Sequence, residues 1–162
     1  MKPTVYIETS IVSYLTAWPS RDLIVAGHQQ ITHEWWSQIR PEVQCLISPY
    51  VIDEASQGDR EAAQKRLEAI VGFPILTLNE EIKALAQKYQ TAVQIPEKAK
   101  LDAFHLAFPA WYKIDYLLTW NCKHIANATV RKIIESLNRQ LNIHTPVICT
   151  PEEFMEVQSN VE

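Results

Sequence analysis

TVYIETS, residues 4–10, sets a β-branched and aromatic run directly against an acid and two hydroxyls. Thr4–Ile7 reads as a short buried strand, because a continuous apolar run bounded by polar residues suits a strand covered on both faces. Thr9 and Ser10 then offer hydroxyl caps for a following helix, which leaves Glu8 at a strand-to-helix junction. The pattern recurs three times. Residues 45–48 read as a strand followed by Pro49 and a short helix carrying Asp53 and Glu54. Residues 116–119 form an apolar run ending at Trp120-Asn121, and 147–149 lead into Pro151-Glu152-Glu153, a helix start.

Between these runs the chain is helical by periodicity. Residues 21–40 carry Leu23, Ile24, His28, Ile31, Trp35 and Ile39 at three- and four-residue spacing and stop at Pro41. Residues 60–71 and 79–93 are rich in helix formers, with Gly72, Pro74 and a brief apolar link, Ile75-Leu76, between them. Ile95-Pro96-Glu97 opens a further helix, whose apolar stripe is Leu101, Phe104, Phe108 and Trp111 and whose adjoining face carries Asp102 and His105. Residues 128–141 make another, with Val130, Ile133, Ile134 and Leu137 on one side.

Short strands alternating with helices, with no tight hairpin signal, predict an α/β fold with a central, mostly parallel sheet of four or five strands. Ligands of such sheets bind at the carboxyl ends of the strands. Glu8, Glu54 and Asn121 fall at that end, and Asp102 approaches from a helix. Three carboxylates gathered there repel one another unless protons or cations neutralise them, and hard divalent cations take oxygen ligands.

Each of these residues also has a plain reading. Glu8 suits the positive end of a helix dipole, and Asn121 suits a turn bonding its own backbone. Neighbours Asp53 and Glu54 point in different directions, so one of them is solvated. His105, between Phe104 and Leu106, reads as a core residue bonded to backbone, and His124 as a loop histidine.

Composition bounds the function. The 162 residues, 47% hydrophobic and 21% charged, match one globular domain, expected over 1–157 with 158–162 as a disordered tail. A net charge of -4 argues against a polyanion binder that works by overall charge. Cys45, Cys122 and Cys149 show no CxxC spacing, so neither a disulfide framework nor a zinc knuckle is indicated. No run approaches the roughly 20 apolar residues of a membrane span, and the expectation is a soluble cytoplasmic protein. His33-Glu34-Trp35-Trp36-Ser37 lacks the second histidine of a zinc protease, Gly27, Gly58 and Gly72 are too isolated for a phosphate loop, and no GxSxG elbow occurs. A receiver-like signalling domain also gathers acids at strand ends, but it needs paired acids after the first strand, where this chain has one.

YIETS at 6–10, SPYVIDEA at 48–55, DAFHLA at 102–107 and LLTWNCKHI at 117–125, in that order, resemble PIN-domain proteins, notably the VapC-type toxins of toxin–antitoxin pairs. The resemblance spans nearly the whole chain. It implies a three-layer α/β/α PIN-like fold and hydrolysis of phosphodiester bonds in single-stranded or structured RNA. Glu8, Glu54, Asp102 and Asn121 would be the catalytic positions, with Mg²⁺ or Mn²⁺ on Glu8, Glu54 and Asp102 and with Ser10 supporting them. A homodimer and a small antitoxin partner are implied as well, and the helix around Trp35 and Trp36 offers interface area.

Two positions depart from the family pattern. Glu8 stands where aspartate is usual and adds one methylene, and Asn121 replaces the last acid, removing a charge that would attract a second ion. These departures leave open an alternative, a catalytically weakened binding or interaction module without nuclease activity. Candidate phosphate contacts are Arg21, Lys98, Lys100, Lys123, Arg131 and Lys132.

Overall fold

The computed structural model describes residues 1–159, and in it the four apolar runs form one parallel sheet. Strands β1 (Thr4–Ile7), β2 (Gln44–Leu46), β3 (Tyr116–Leu118) and β4 (Val147–Cys149) lie in the order β2-β1-β3-β4. Val5 sits opposite both Cys45 and Tyr116, and Tyr116 opposite Val147. The central position of β1 explains why Val5, Tyr6 and Ile7 are wholly buried. Backbone bonds carry the ladder past the strand ends: Glu8 N donates to Leu118 O at 3.1 Å, and Thr119 N to Cys149 O at 3.1 Å. Glu8, Thr119 and Thr150 therefore emerge together along the carboxyl edge. The apolar link 75–76 begins a fifth strand that does not extend, since Ile47 pairs with Ile75 in a single parallel bridge.

The helices are α1 (Thr9–Thr16), α2 (Leu23–Gln38), α3 (Pro49–Ala55), α4 (Arg60–Ile70), α5 (Glu80–Val93), α6 (Leu101–Trp111), α7 (Ala128–Leu141) and α8 (Pro151–Ser159). Asp59, Asn79 and Asn127 cap α4, α5 and α7 by accepting backbone N–H groups, while Gln94 and Asn142 close α5 and α7 in the left-handed conformation. Helix α1 packs on α2 and α4, and α2 on α8; α5 packs on α6 and α7. Helix α3 touches α1, α4 and α6, bridging the two groups. This is the expected α/β/α arrangement around a parallel sheet. Helix α8 continues through Ser159, and the remainder of the expected tail, 160–162, lies outside the described residues.

Expectations for three helices are corrected. Helix α1 is capped by Glu8, whose carboxylate accepts from Ser10 N, and not by a Thr9 or Ser10 hydroxyl. Helix α2 starts at Leu23 because Asp22 Oδ1 accepts from Ile24 N and Val25 N at 3.0 Å each. Its inward face is Gln29, Thr32 and Trp35, whereas Leu23 and Ile24 are exposed. Gln29 is satisfied by Ser20 N at 2.9 Å and Trp18 O at 3.0 Å, and Thr32 accepts from Trp120 Nε1 at 2.7 Å, so these buried polar groups have partners. Trp35 is wholly buried and offers no interface area; Trp36 is half-buried beneath Arg40. Helix α6 is buried through Ala103 and from His105 to Ala110; of the expected stripe Phe108 is wholly buried, Leu101 and Phe104 are half-buried, and Trp111 is exposed. Small residues, Ala103, Ala107 and Ala110, let this helix sink into the core, and His105 goes with it.

Candidate active site

Glu8 leaves the end of β1 already committed. Its Oε1 accepts from Ser10 Oγ and Thr119 Oγ1, both at 2.5 Å, and its Oε2 from Ser10 N at 3.1 Å. Three donors inside a site where Glu8 is 4% exposed hold the carboxylate in one orientation. Ser10 Oγ in turn accepts from Trp120 N at 2.8 Å, which ties α1 to the loop after β3. Ser10 thus links Glu8 to the backbone of Trp120.

Glu54, on α3 beyond β2, meets Glu8 from the side. Its Oε1 accepts from Thr9 Oγ1 at 2.8 Å and from His105 Nε2 at 2.5 Å, and no group among the described residues bonds its Oε2. Burial pushes this carboxyl upward, but the hydrogen bond and charge of His105 and the Thr9 hydroxyl outweigh it, so the pKa lies below 4.5. Asp53 is exposed, so Glu54 is the one of the pair that faces the site.

His105 corrects the expectation of a backbone-bonded core histidine. It is fully buried, yet its partners are two side chains: Nε2 on Glu54 and Nδ1 at 2.7 Å from Tyr6 Oη. Burial disfavours the charged ring, but the Glu54 hydrogen bond and the nearby Glu8, Glu54 and Asp102 charges prevail and raise its pKa above 6.5. A protonated ring donates from both nitrogens, to Glu54 and to Tyr6. Tyr6, whose own pKa burial pushes well above 10.0, keeps its proton to donate to Ser48 Oγ at 2.8 Å.

Asp102 stands in the first turn of α6, and its Oδ2 accepts from His124 Nδ1 at 2.8 Å. Asn121 Oδ1 accepts from His124 N at 3.0 Å, the local turn that amide residues favour. The ligand atoms of Glu8, Glu54 and His105 lie within 4.8 Å of one another; among the described residues, Asp102 does not join that group. Sequence reasoning missed Tyr6, Thr119 and the two histidine contacts, which bridge 99, 111, 51 and 22 residues of chain. Only the hydroxyl in LLTWN hinted at Thr119.

The clustered carboxylates of Glu8 and Glu54 offer oxygen donors of the kind a divalent ion takes. Among the described residues no hydrogen bond reaches Oε2 of Glu54 or Oδ1 of Asp102, and ions of the magnesium type bind through one or two carboxylates while keeping several waters. Of the candidate phosphate contacts, Arg131 is spent on Ile148 O at 2.9 Å and Glu153 at 2.7 Å, and Lys100 faces Glu97 at 3.6 Å. Arg21, Lys98, Lys123 and Lys132 are exposed.

No protein-family model and no curated protein sequence matches the chain. Solved structures do. The VapC20 toxin of Mycobacterium tuberculosis, described as cleaving the sarcin-ricin loop, superimposes with a TM-score of 0.58 at 12% identity, over 74% of this chain and 92% of that one. VapBC-1 of nontypeable Haemophilus influenzae gives 0.55 at 16% identity over 92% and 98% of the two chains. The chain has the PIN-like fold of VapC toxins. VapBC2 of Rickettsia felis, solved on a fragment of promoter DNA, gives 0.52 at 13% identity over 91% and 98%. In this VapC-like fold no described helix is long and apolar enough to cross a membrane.

Proposed function

We propose that this protein is a Mg²⁺- or Mn²⁺-dependent endoribonuclease, the cytoplasmic toxin of a VapBC-like pair, acting on single-stranded or structured RNA. The observation that carries the reading is the meeting of Glu8 and Glu54 at the carboxyl edge of a sheet whose fold is that of VapC toxins. Glu54 and Asp102 would hold the ion through their uncommitted oxygens, with Glu8 lining the site beside them. Bound there, the ion would acidify a water and stabilise charge building on the phosphate. His105 keeps the Glu54 carboxylate charged and oriented, and Ser10 and Thr119 orient that of Glu8. Arg21, Lys98, Lys123 and Lys132 would contact phosphates, making RNA binding strongly salt-dependent.

The VapBC neighbours support a small antitoxin as partner, and a homodimer is part of the same proposal. The test is RNA cleavage by purified protein in Mn²⁺ or Mg²⁺ beside Asp102→Asn. Cleavage by the wild type alone is expected; none by the wild type, or equal cleavage by both, contradicts the reading. The turn-bound Asn121 favours a second reading, a weakened binding module. RNA retained on a filter without cleavage, and without dependence on divalent ions, would be its signature.

A further inference from the structure

Glu8 and Asp102 are joined by one unbroken path of hydrogen bonds. Thr119 Oγ1 donates to Glu8 Oε1 at 2.5 Å and accepts from Asn121 N at 2.9 Å. Asn121 Oδ1 accepts from His124 N at 3.0 Å, and the His124 ring reaches Asp102 Oδ2 at 2.8 Å. The loop that carries this path is firmly seated. Asn121 O accepts from Ile125 N at 3.1 Å and Ala126 N at 2.8 Å, and both of those residues are buried.

Resting on the ribonuclease reading, we propose that His124 is a positioning residue that fixes the Asp102 carboxylate for a divalent ion, with Asn121 acting only through it. A carboxylate on the first turn of a helix can swing about its side-chain torsions; a donor on Oδ2 removes that freedom and leaves Oδ1 as the ligand atom. Partners that orient metal ligands typically change ion affinity about 10–100-fold when removed. The fourth strand-end position, which has lost its charge, keeps an indirect influence on the ion: its amide places the His124 backbone, and the imidazole places Asp102. Nothing in this role requires Asn121 to touch the ion.

The test measures Mn²⁺ binding directly, by the electron paramagnetic resonance signal of free Mn²⁺ during titration, alongside steady-state RNA cleavage and thermal melting. His124→Ala is expected to weaken Mn²⁺ binding about 10–100-fold and to lower kcat while KM for RNA stays within about threefold. His124→Asn, whose Nδ2 donates from near the place of Nδ1, is expected to recover most of the affinity, and Asn121→Ala to weaken it less than His124→Ala. Wild-type Mn²⁺ affinity in His124→Ala overturns the proposal, whether or not its melting temperature falls. The wild type separates the two levels: if it neither binds Mn²⁺ nor cleaves RNA, the ribonuclease reading fails and takes this inference with it.

Discussion

Two carboxylate–histidine pairs stand at the same edge of the sheet, and they are built differently. In the Glu54–His105 pair the imidazole is 0% exposed, both its nitrogens are engaged, and Tyr6 and Ser48 complete a chain running into the core. In the Asp102–His124 pair the imidazole is 17% exposed, sits on a loop, and has one ring nitrogen bonded. The first pair is part of what holds β1, α3 and α6 together. The second can be altered without opening the core, so its loss should be felt in ion binding and much less in stability.

The largest expected effect is on chemistry. Glu54→Gln keeps the shape of the side chain but removes the charge facing both the ion and His105, and RNA cleavage is expected to fall more than about 100-fold, beyond the range seen for residues that merely orient a ligand. Single-turnover cleavage with excess protein checks this, and a loss under tenfold would contradict a ligand role for Glu54.

Removing the imidazoles separates the two pairs by stability. His105→Ala leaves a partly buried carboxylate without its partner and opens a hole beneath β1, which should cost about 3 kcal/mol in urea denaturation. His124→Ala should cost clearly less than His105→Ala, because its ring lies on a loop at 17% exposure and is not part of the core. Equal losses would erase the distinction. Behind His105, Tyr6→Phe deletes the hydroxyl that serves both Ser48 and Nδ1, and about 1–2 kcal/mol is expected from the same measurement.

The smallest effect is the pH dependence of the buried pair in metal-free protein. His105, raised above 6.5, contributes stability that is complete below 6.5 and lost as pH rises through its folded value. Glu54, lowered below 4.5, contributes stability that is complete above 4.5 and lost as pH falls through its folded value. Between 4.5 and 6.5 both contributions are present, and His105→Ala should flatten the alkaline decline of urea midpoints. A decline of the same size in that variant would assign it to other groups.

The contrast between the pairs also shows what the sequence carries. β1, β4 and α7 are read directly, because buried parallel strands are unbroken apolar runs and α7 has Asn127 as its cap and strong periodicity. Helix α2 misleads, since Gln29 and Thr32 are buried by virtue of partners at Trp18, Ser20 and Trp120, while Leu23 and Ile24 lie outside. Glu8 and Glu54 are legible as acids at strand ends. The identity of what holds them is not, because His105, Tyr6 and Thr119 meet them only through long-range pairing, and a histidine between two apolar residues gives no sign of which partner the fold will supply. Asn121 behaves as its turn chemistry suggests, and its link to Asp102 through His124 becomes visible only once α6 and the loop after β3 are side by side.

The central claim is that this edge of the sheet holds a divalent ion through its acids. A crystal soaked in Mn²⁺ and measured at the manganese absorption edge tests it most directly. The account predicts an anomalous peak about 2.1 Å from carboxylate oxygens of Glu54 and Asp102, with Glu8 beside it and Asn121 still bonded to the His124 backbone. Saturating Mn²⁺ with no peak at these carboxylates, or with the ion held by other residues, would contradict it.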